Sequence, residues 1–498
     1  MSVLDAARTA LRQGNKDKAL MLARKAVAKA GEDTAAWILL GFALAANDLW
    51  DEAIETLQRA TDRTPDSAEL RFELARTAYQ ARRLDIAEAA YRKVLALLPK
   101  NIAAYCNLGV VYSVQGRLAN AEDCYRDALK YCPAELRGGI AYNLGEVLRR
   151  QGKPEDAIAA LQDAVAAEPG LYVAHNALAG TLFDLKRMAE SIAAYRKAIA
   201  ADAGRPEPRY KLSQALLAEG RLAEAEDEMR GYLSQRPETS SAYEALGRIL
   251  ILQERQGELA GVLEDWERNL PGDHRLEHAR AAWSFQAAPA RASDGYVRQV
   301  FDGFAENFDA TLKKLDYRAP QALVEALHET GDMGEGKADI LDAGCGTGLC
   351  GPLLRPLAKR LVGVDLSAGM LAKAGELGIY DALHEAELGD YLQRQAGAFD
   401  VVLSADTLVY FGDLKPVIAA AAAVLRPGGR LLFSLEHAAD AEPEPVYRLN
   451  AHGRYSHTQA HVAEALNAAG LGLLCLRHEV FRKEAGQPVP GLLVVASK

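Results

Sequence analysis

Residues 338–354 read ADILDAGCGTGLCGPLL, and their glycines are spaced to hold a nucleotide. Gly346-Thr347-Gly348-Leu349-Cys350-Gly351 fits the G-x-G-x-x-G spelling, in which glycines let a backbone approach a pyrophosphate. Gly344, Gly346 and Gly348 fit G-x-G-x-G equally well, with an acid, Asp342, just ahead. The glycines alone leave that choice open. Asp365 follows Gly344 by 21 residues at the end of the apolar run LVGVDLS, where a carboxylate accepts both ribose hydroxyls of a nucleoside. Further on, FDVVLSADTLVYF carries Asp406 and Tyr410, and LRPGGRLLFSLE leads into Glu436 and His437. The cluster AHGRYSHTQAH then offers His452, Arg454, Tyr455, His457 and His461, side chains able to take a proton or read a carboxylate. His274 and His278 have the spacing of a metal pair, but no third ligand accompanies them and no metal is expected.

The elements that must position these residues alternate from 338 onward. ADILDAG, LVGVDLS, ALHEAEL, FDVVLSADTLVYF, GRLLFSLE, LGLLCLRHEV and GLLVVASK read as strands. GPLLRPLAKR, GMLAKAGELGI, LKPVIAAAAAVL and SHTQAHVAEALNAAG read as helices between them. This is a doubly wound α/β sheet of seven strands, which binds ligands where its strands end. Ahead of it, Tyr296, Val300, Phe304 and Phe308 step by about four and share one helix face. That face is either a core stripe or a lid over a cationic ligand.

The first half repeats itself. From Trp37 the chain reads Leu40-Gly41, Leu44, Ala53, Leu57, Ala60, Pro65, and a shift of 34 residues finds Leu74-Ala75, Ala78, Ala87, Tyr91, Val94, Pro99. Five further units follow to Pro271, one with a two-residue insertion, and an eighth at residues 1–33 keeps small residues at Ala7, Ala19 and Ala26 without aromatic anchors, as a capping repeat would. Small residues let two antiparallel helices approach, and proline closes the second helix. Beyond it, Asp273 to Phe285 reads as one more helix, followed by an Ala/Pro/Ser/Gly linker.

This pattern resembles the tetratricopeptide repeat over residues 1–273, which implies an all-α solenoid whose groove takes a protein or peptide. Asn107, Asn143 and Asn176, with Tyr142 and Tyr210, would line that groove or be merely solvated. Residues 274–293 are then a capping helix and linker, and 294–498 a catalytic domain with a helical lid. DLSAGMLAKA, FDVVLSADTLVYF and LRPGGRLLFSLE, in that order, resemble the class I S-adenosylmethionine-dependent methyltransferases, whose fold is Rossmann-like. The whole chain is similar to bacterial fusions of such repeats with a methyltransferase. FDGFAENFDATLKKLDYRAP and YDALHEAEL are similar to a methyltransferase-like family of ill-defined substrates.

The resemblance implies S-adenosylmethionine as cofactor and S-adenosylhomocysteine as product. It sets Asp342, Gly344, Cys345, Gly346 and Gly348 against the amino-acid tail and ribose, and Asp365 on the ribose hydroxyls. Leu366 would pack on the adenine, with Ser367, Met370, Leu388 and Tyr296 around the cofactor. Glu387, or Glu385 by a different register, would face the adenine amino group. Asp406 would lie near the sulfonium with Tyr410 beyond, and His437, Arg454, Tyr455 and His457 would build the acceptor site. Three readings stay open. The repeats recruit the protein to be methylated, or the acceptor is a small metabolite and the repeats serve assembly, or the chain is a non-enzymatic scaffold.

Composition agrees with a soluble protein of several domains: 498 residues, 49% hydrophobic and 25% charged, with formal charge −10. An acidic balance argues against a nucleic-acid reader. No run suits a secretory signal or a membrane span, and six cysteines without metal or C-x-x-C spacing suit the cytoplasm.

Overall fold

The computed structural model describes residues 2–29, 33–284, 288–331, 334–395, 397–438, 447–484 and 487–498. The chain divides into two compact units, Met1–Glu228 and Met229–Lys498.

In the first unit, helices follow one another in pairs from Val3–Arg12 to Glu207–Ala218. Second helices end at Arg63, Leu97, Tyr131 and Ala167, each two residues before the proline of its repeat. The pairs close where glycine removes a side chain. A Cβ on Gly41, Gly109 or Gly145 would lie 2.9, 2.8 and 2.6 Å from Leu57, Tyr125 and Leu161, each 16 residues downstream. The turn inside each pair needs one left-handed residue. Gly14, Asp48, Arg82, Gly116, Gly152, Lys186 and Gly220 supply it, as does Glu254 in the second unit, at φ between 60° and 75°. Eight such turns mean eight helical pairs. The eighth, Ser240–Leu252 with Leu259–Asn269, belongs to the second unit. There the Gly247 slot meets the indole of Trp283, 2.2 Å from where a Cβ would stand.

Trp283 ends the helix His274–Trp283, capped by Asp273, which accepts from Arg275 N. Phe285, the expected end of that helix, lies outside the described residues. The following segment is strapped down rather than loose. Ala290 O accepts from Gly412 N and Asp413 N, both at 2.8 Å, and Ala292 N donates to Tyr410 O at 2.8 Å.

The sheet contains β1 (Ala338–Ala343), β2 (Ala358–Asp365), β3 (Ala382–Glu385), β4 (Phe399–Ser404), β5 (Leu425–His437), β6 (Tyr447–Leu449), β7 (Tyr455–His457), β8 (Gly472–Glu484) and β9 (Gln487–Ser497). Its main path runs β3-β2-β1-β4-β5-β9-β8, with β9 antiparallel to both neighbours. β6 and β7 are short additions at the end of β5, where Glu436 and His437 pair with Ser456 and His457. β7 lies inside the polar cluster AHGRYSHTQAH, and neither strand was expected. Ile340 and Leu341 of β1 are wholly buried because helices cover both faces of a parallel sheet. Chain order reverses between β1 and β4, so the crevice opens at their carboxyl ends.

Two expected elements are corrected. GPLLRPLAKR is helical only over Gly351–Leu354, because β2 already starts at Ala358 to pair with Ala338. The aromatic stripe is not one helix: Asp294–Asp302 stops at Gly303, a 3-10 turn follows, and Phe308–Lys314 restarts.

Candidate functional site

The glycine loop leaves β1 with a buried acid beneath it. Asp342 is 0% exposed, and its Oδ2 accepts from the Tyr380 hydroxyl at 2.7 Å. Its Oδ1 is buried with no partner among the described residues. Burial, with the Asp365 charge adding to it, pushes the carboxyl up to about 7. Gly344 (φ +78°) is obligatory, since a Cβ there would meet Thr407 Oγ1 at 2.0 Å. Gly346 (φ +54°) opens into space, its nearest neighbour being Phe308 Cε1 at 4.0 Å, while Gly348 (φ +88°) abuts Leu377 and Tyr380.

Asp365 closes β2 half-buried. Its Oδ2 accepts from Gly346 N and its Oδ1 from Ser367 N, both at 2.9 Å, with the Leu366 backbone a further donor to the carboxylate. Burial raises its pKa against the three backbone bonds from Ser367, Gly346 and Leu366. Ser367 caps the helix Ala368–Glu376, and Leu366, Met370 and Leu388 are buried around it. Cys345 is buried, its Sγ 2.9 Å from where a Gly363 Cβ would stand, and burial pushes its thiol far up. Glu387 caps the helix Leu388–Gln393, Oε2 accepting from Asp390 N at 2.7 Å, while Glu385 is exposed.

The short helices before the sheet lie against this loop. Asp302 Oδ1 accepts from Ser367 Oγ and from Gly369 N, and Asp309 Oδ1 accepts from Thr347 Oγ1 at 2.5 Å. Tyr296 turns elsewhere: it is buried with its ring 3.8 Å from that of His278. Burial in that contact, rather than the loop, sets its position.

At the ends of β4, β5 and β8 three carboxylates surround two guanidinium groups. Asp406 has φ +53°, a strained value for a residue with a Cβ. Ser434 holds it there, accepting from Asp406 N at 2.8 Å and donating to Asp406 Oδ1 at 2.7 Å. Arg482 donates to Asp406 Oδ2 at 2.6 Å, to Glu484 Oε1 at 2.9 Å and to Glu436 Oε1. Arg454 donates to Glu436 Oε1 at 2.5 Å and to Glu484. Burial opposes the charge on Arg482, yet Asp406, Glu436 and Glu484 together raise its pKa. His452 Nε2 lies 3.5 Å from Glu436 Oε2, and its burial favours the neutral ring. Tyr410 is half-buried among these charges, and burial raises its pKa.

The structure thus brings Asp406, Tyr410 and Arg454 together, and leaves three expected partners out. Successive residues of a strand face opposite sides, so Glu436 meets Arg482 while His437 turns away onto His478, 4.6 Å between rings. Tyr455 and His457 share that opposite side and are wholly buried. The Tyr455 hydroxyl donates to Pro289 O, and His457 lies 5.5 Å from the His461 ring. Arg482 was missed, since 76 residues separate it from Asp406 and no local pattern marks it. Tyr380 and Asp302 were missed likewise; only the depth of their partners reveals them.

The buried, unpartnered oxygen of Asp342, the loop stripped of side chains and the half-buried carboxylate of Asp365 fit a small molecule with a cationic group and a ribose. Known protein families match both parts of the chain. A methyltransferase domain family matches residues 341–433, and tetratricopeptide repeat families match 10–74, 101–167, 142–206 and 182–249. The chain is similar to the ubiquinone biosynthesis O-methyltransferase of Sodalis glossinidius, 29% identical over 34% of this chain and 64% of that one. It is also similar to the malonyl-[acyl-carrier protein] O-methyltransferase of Serratia marcescens, 38% identical over 19% of this chain and 37% of that protein. A crystal structure of an S-adenosylmethionine dependent methyltransferase from Mesorhizobium loti aligns over 35% of this chain and 96% of its own, at 26% identity and TM-score 0.29. The chain therefore spans under two thirds of the length of these two curated relatives. The second unit contains a methyltransferase domain. Tetratricopeptide repeats precede it, so the chain is a repeat-bearing methyltransferase-domain protein.

Proposed function

We propose that the chain is an S-adenosylmethionine-dependent methyltransferase whose repeats recruit a protein or peptide, as partner or as substrate. The observation that carries the reading is Asp342, a buried acid with one oxygen unsatisfied beneath a loop of glycines. An ammonium group on the cofactor's amino-acid tail would supply the missing partner and favour the ionised form. Asp365 would grip the ribose, Leu366, Met370 and Leu388 would wall the adenine, and Glu387 would stand near its amino group. Glu387 reaches that role with one oxygen already capping a helix.

When bound, the cofactor supplies a methyl group on positively charged sulfur. The chain's own part is to hold an acceptor oxygen or nitrogen in line with that group, which converts a bimolecular step into a positioned one. The strand ends carry three carboxylates and two guanidiniums, so their field favours a positive centre nearby. Both guanidiniums are already engaged, so an acidic acceptor would have to displace a carboxylate. This supports a hydroxyl acceptor over a carboxylate one. His452, neutral and beside Glu436, is the group best suited to take its proton. Six free cysteines suit a reducing cytoplasm.

Calorimetry tests the reading. The wild-type chain is expected to bind S-adenosylmethionine, and Asp365→Ala to weaken it by roughly tenfold to a few hundredfold, since each hydroxyl-to-carboxylate bond contributes about 1.5–3 kcal/mol. Uptake of a nicotinamide dinucleotide instead would overturn it.

A further inference from the structure

The turn that bears His452 and Arg454 is held by a helix outside the sheet. Residues 450–454 close on themselves: Gly453 N donates to Asn450 O at 2.8 Å and Asn450 N to Arg454 O at 2.9 Å. Gly453 has φ +89°, and a Cβ on it would lie 2.5 Å from the Tyr296 hydroxyl. His452 therefore sits between two carbonyls whose orientation is fixed. Each carbonyl is taken by the helix His274–Trp283. Trp283 Nε1 donates to Ala451 O at 3.3 Å, and His278 Nε2 donates to Gly453 O at 2.8 Å.

Both donors are buried, and neither is free to move. His278 stacks on Tyr296, which lies 6.5 Å from Tyr410, between ring centroids. Trp283 fills the Gly247 slot of the last helical pair and lies 6.2 Å from Trp266. Two apolar side chains would have packed this contact as well. Two polar ones leave buried donors that must find acceptors, and the acceptors they find flank His452.

We infer that the helix His274–Trp283 is a working part of the acceptor site, with His278 a positioning residue that sets the 450–454 turn so that His452 and Arg454 reach Glu436. The role as acceptor site rests on the methyltransferase reading; the positioning does not. It also means that a cut at Pro271 keeps the helix but strips Trp283 of the Gly247 slot and of Trp266, against which it packs.

The test uses the full chain and the pair His278→Leu and His278→Gln. Glutamine places an N–H donor where Nε2 stood; leucine does not. The first readout is amide hydrogen exchange over 447–457. The second is the titration of the His452 ring by NMR, which faces Glu436, Glu484, Arg454 and Arg482. Leucine is expected to speed exchange there at least tenfold and to return His452 to ordinary histidine titration. S-adenosylmethionine affinity should stay within twofold, and glutamine should restore both readouts. If leucine leaves exchange and titration unchanged, or glutamine fails as leucine does, the inference is overturned. Should His278→Leu not fold, Trp283→Phe, which removes one N–H, must speed exchange at the same turn or the inference falls. A chain that takes up no S-adenosylmethionine sinks the functional reading, while exchange still decides the clamp.

Discussion

The first unit solves one packing problem seven times, and the second solves one electrostatic problem once. In the solenoid most paired charge stays near water: Arg24–Glu52 and Arg196–Glu224 are roughly half exposed at both partners and Arg83–Asp51 more so, with Glu88, held by Arg92 and Arg117, a buried exception. Such pairs contribute about 0–1 kcal/mol each, so no single one matters much. At the strand ends of the second unit, Arg482 is 6% exposed and binds three carboxylates drawn from three parts of the chain. A lesion in a repeat is felt by its neighbours; a lesion at Arg482 leaves Asp406 with Ser434 alone and Glu436 and Glu484 sharing the one guanidinium of Arg454.

The largest expected effect breaks that centre. Arg482→Met leaves Asp406, Glu436 and Glu484 crowded around an apolar chain and should cost about 3–5 kcal/mol. Scanning calorimetry should show the sheet's transition falling while the repeats' transition holds. If both transitions stayed in place, the network would be decoration and the contrast between the units would fail.

How far each unit could be read in the sequence follows from the same contrast. Leu40-Gly41 and Leu57 recur at fixed offsets, so each repeat predicts the next, and proline marks the end of most second helices. In the sheet, Asp342, Asp365 and Asp406 could be located because each ends an apolar run. Arg482 could not, because its partners are assembled by topology rather than by spacing. His437 misled for a local reason: a shift of one residue along β5 moves a side chain to the other face. The helix His274–Trp283 was legible as one more helix capping the repeats, but its role was not, since nothing in its own sequence names the turn it clamps.

A second prediction uses acid. His457 is 0% exposed beside His461, and burial lowers its pKa from the usual 6.5 to about 3. The folded state thus favours the neutral ring. Its contribution is complete above pH 6.5 and is lost as pH falls towards 3, reaching about 2 kcal/mol at pH 5. Asp342 acts in the opposite sense over the same range, because its raised pKa favours the protonated folded form below about 7. Wild-type stability alone would therefore hide both. Measured against His457→Leu, the wild-type sheet should lose about 2 kcal/mol more between pH 7.5 and pH 5. Equal pH slopes in the two proteins would mean that the ring is not held neutral by burial.

The smallest effect sharpens the comparison from the solenoid's side. Of the seven left-handed turn residues in the first unit, Gly14, Gly116, Gly152 and Gly220 need no side chain, whereas Asp48, Arg82 and Lys186 carry one at φ 60°, 60° and 63°. The last three are exposed, so replacing them touches no packing. A left-handed residue with a Cβ is strained by about 1–2 kcal/mol, and glycine returns part of that gain through its freer unfolded chain. Lys186→Gly should therefore stabilise the repeats by about 0.5–1 kcal/mol, and Arg82→Gly by a similar amount, seen as a higher midpoint of the repeat transition with the sheet's unchanged. Because each turn sits in a different repeat, the pair should add. A gain in one repeat that also raised the sheet's midpoint would show that the two units melt as one, and the local economy ascribed to the solenoid would then be wrong.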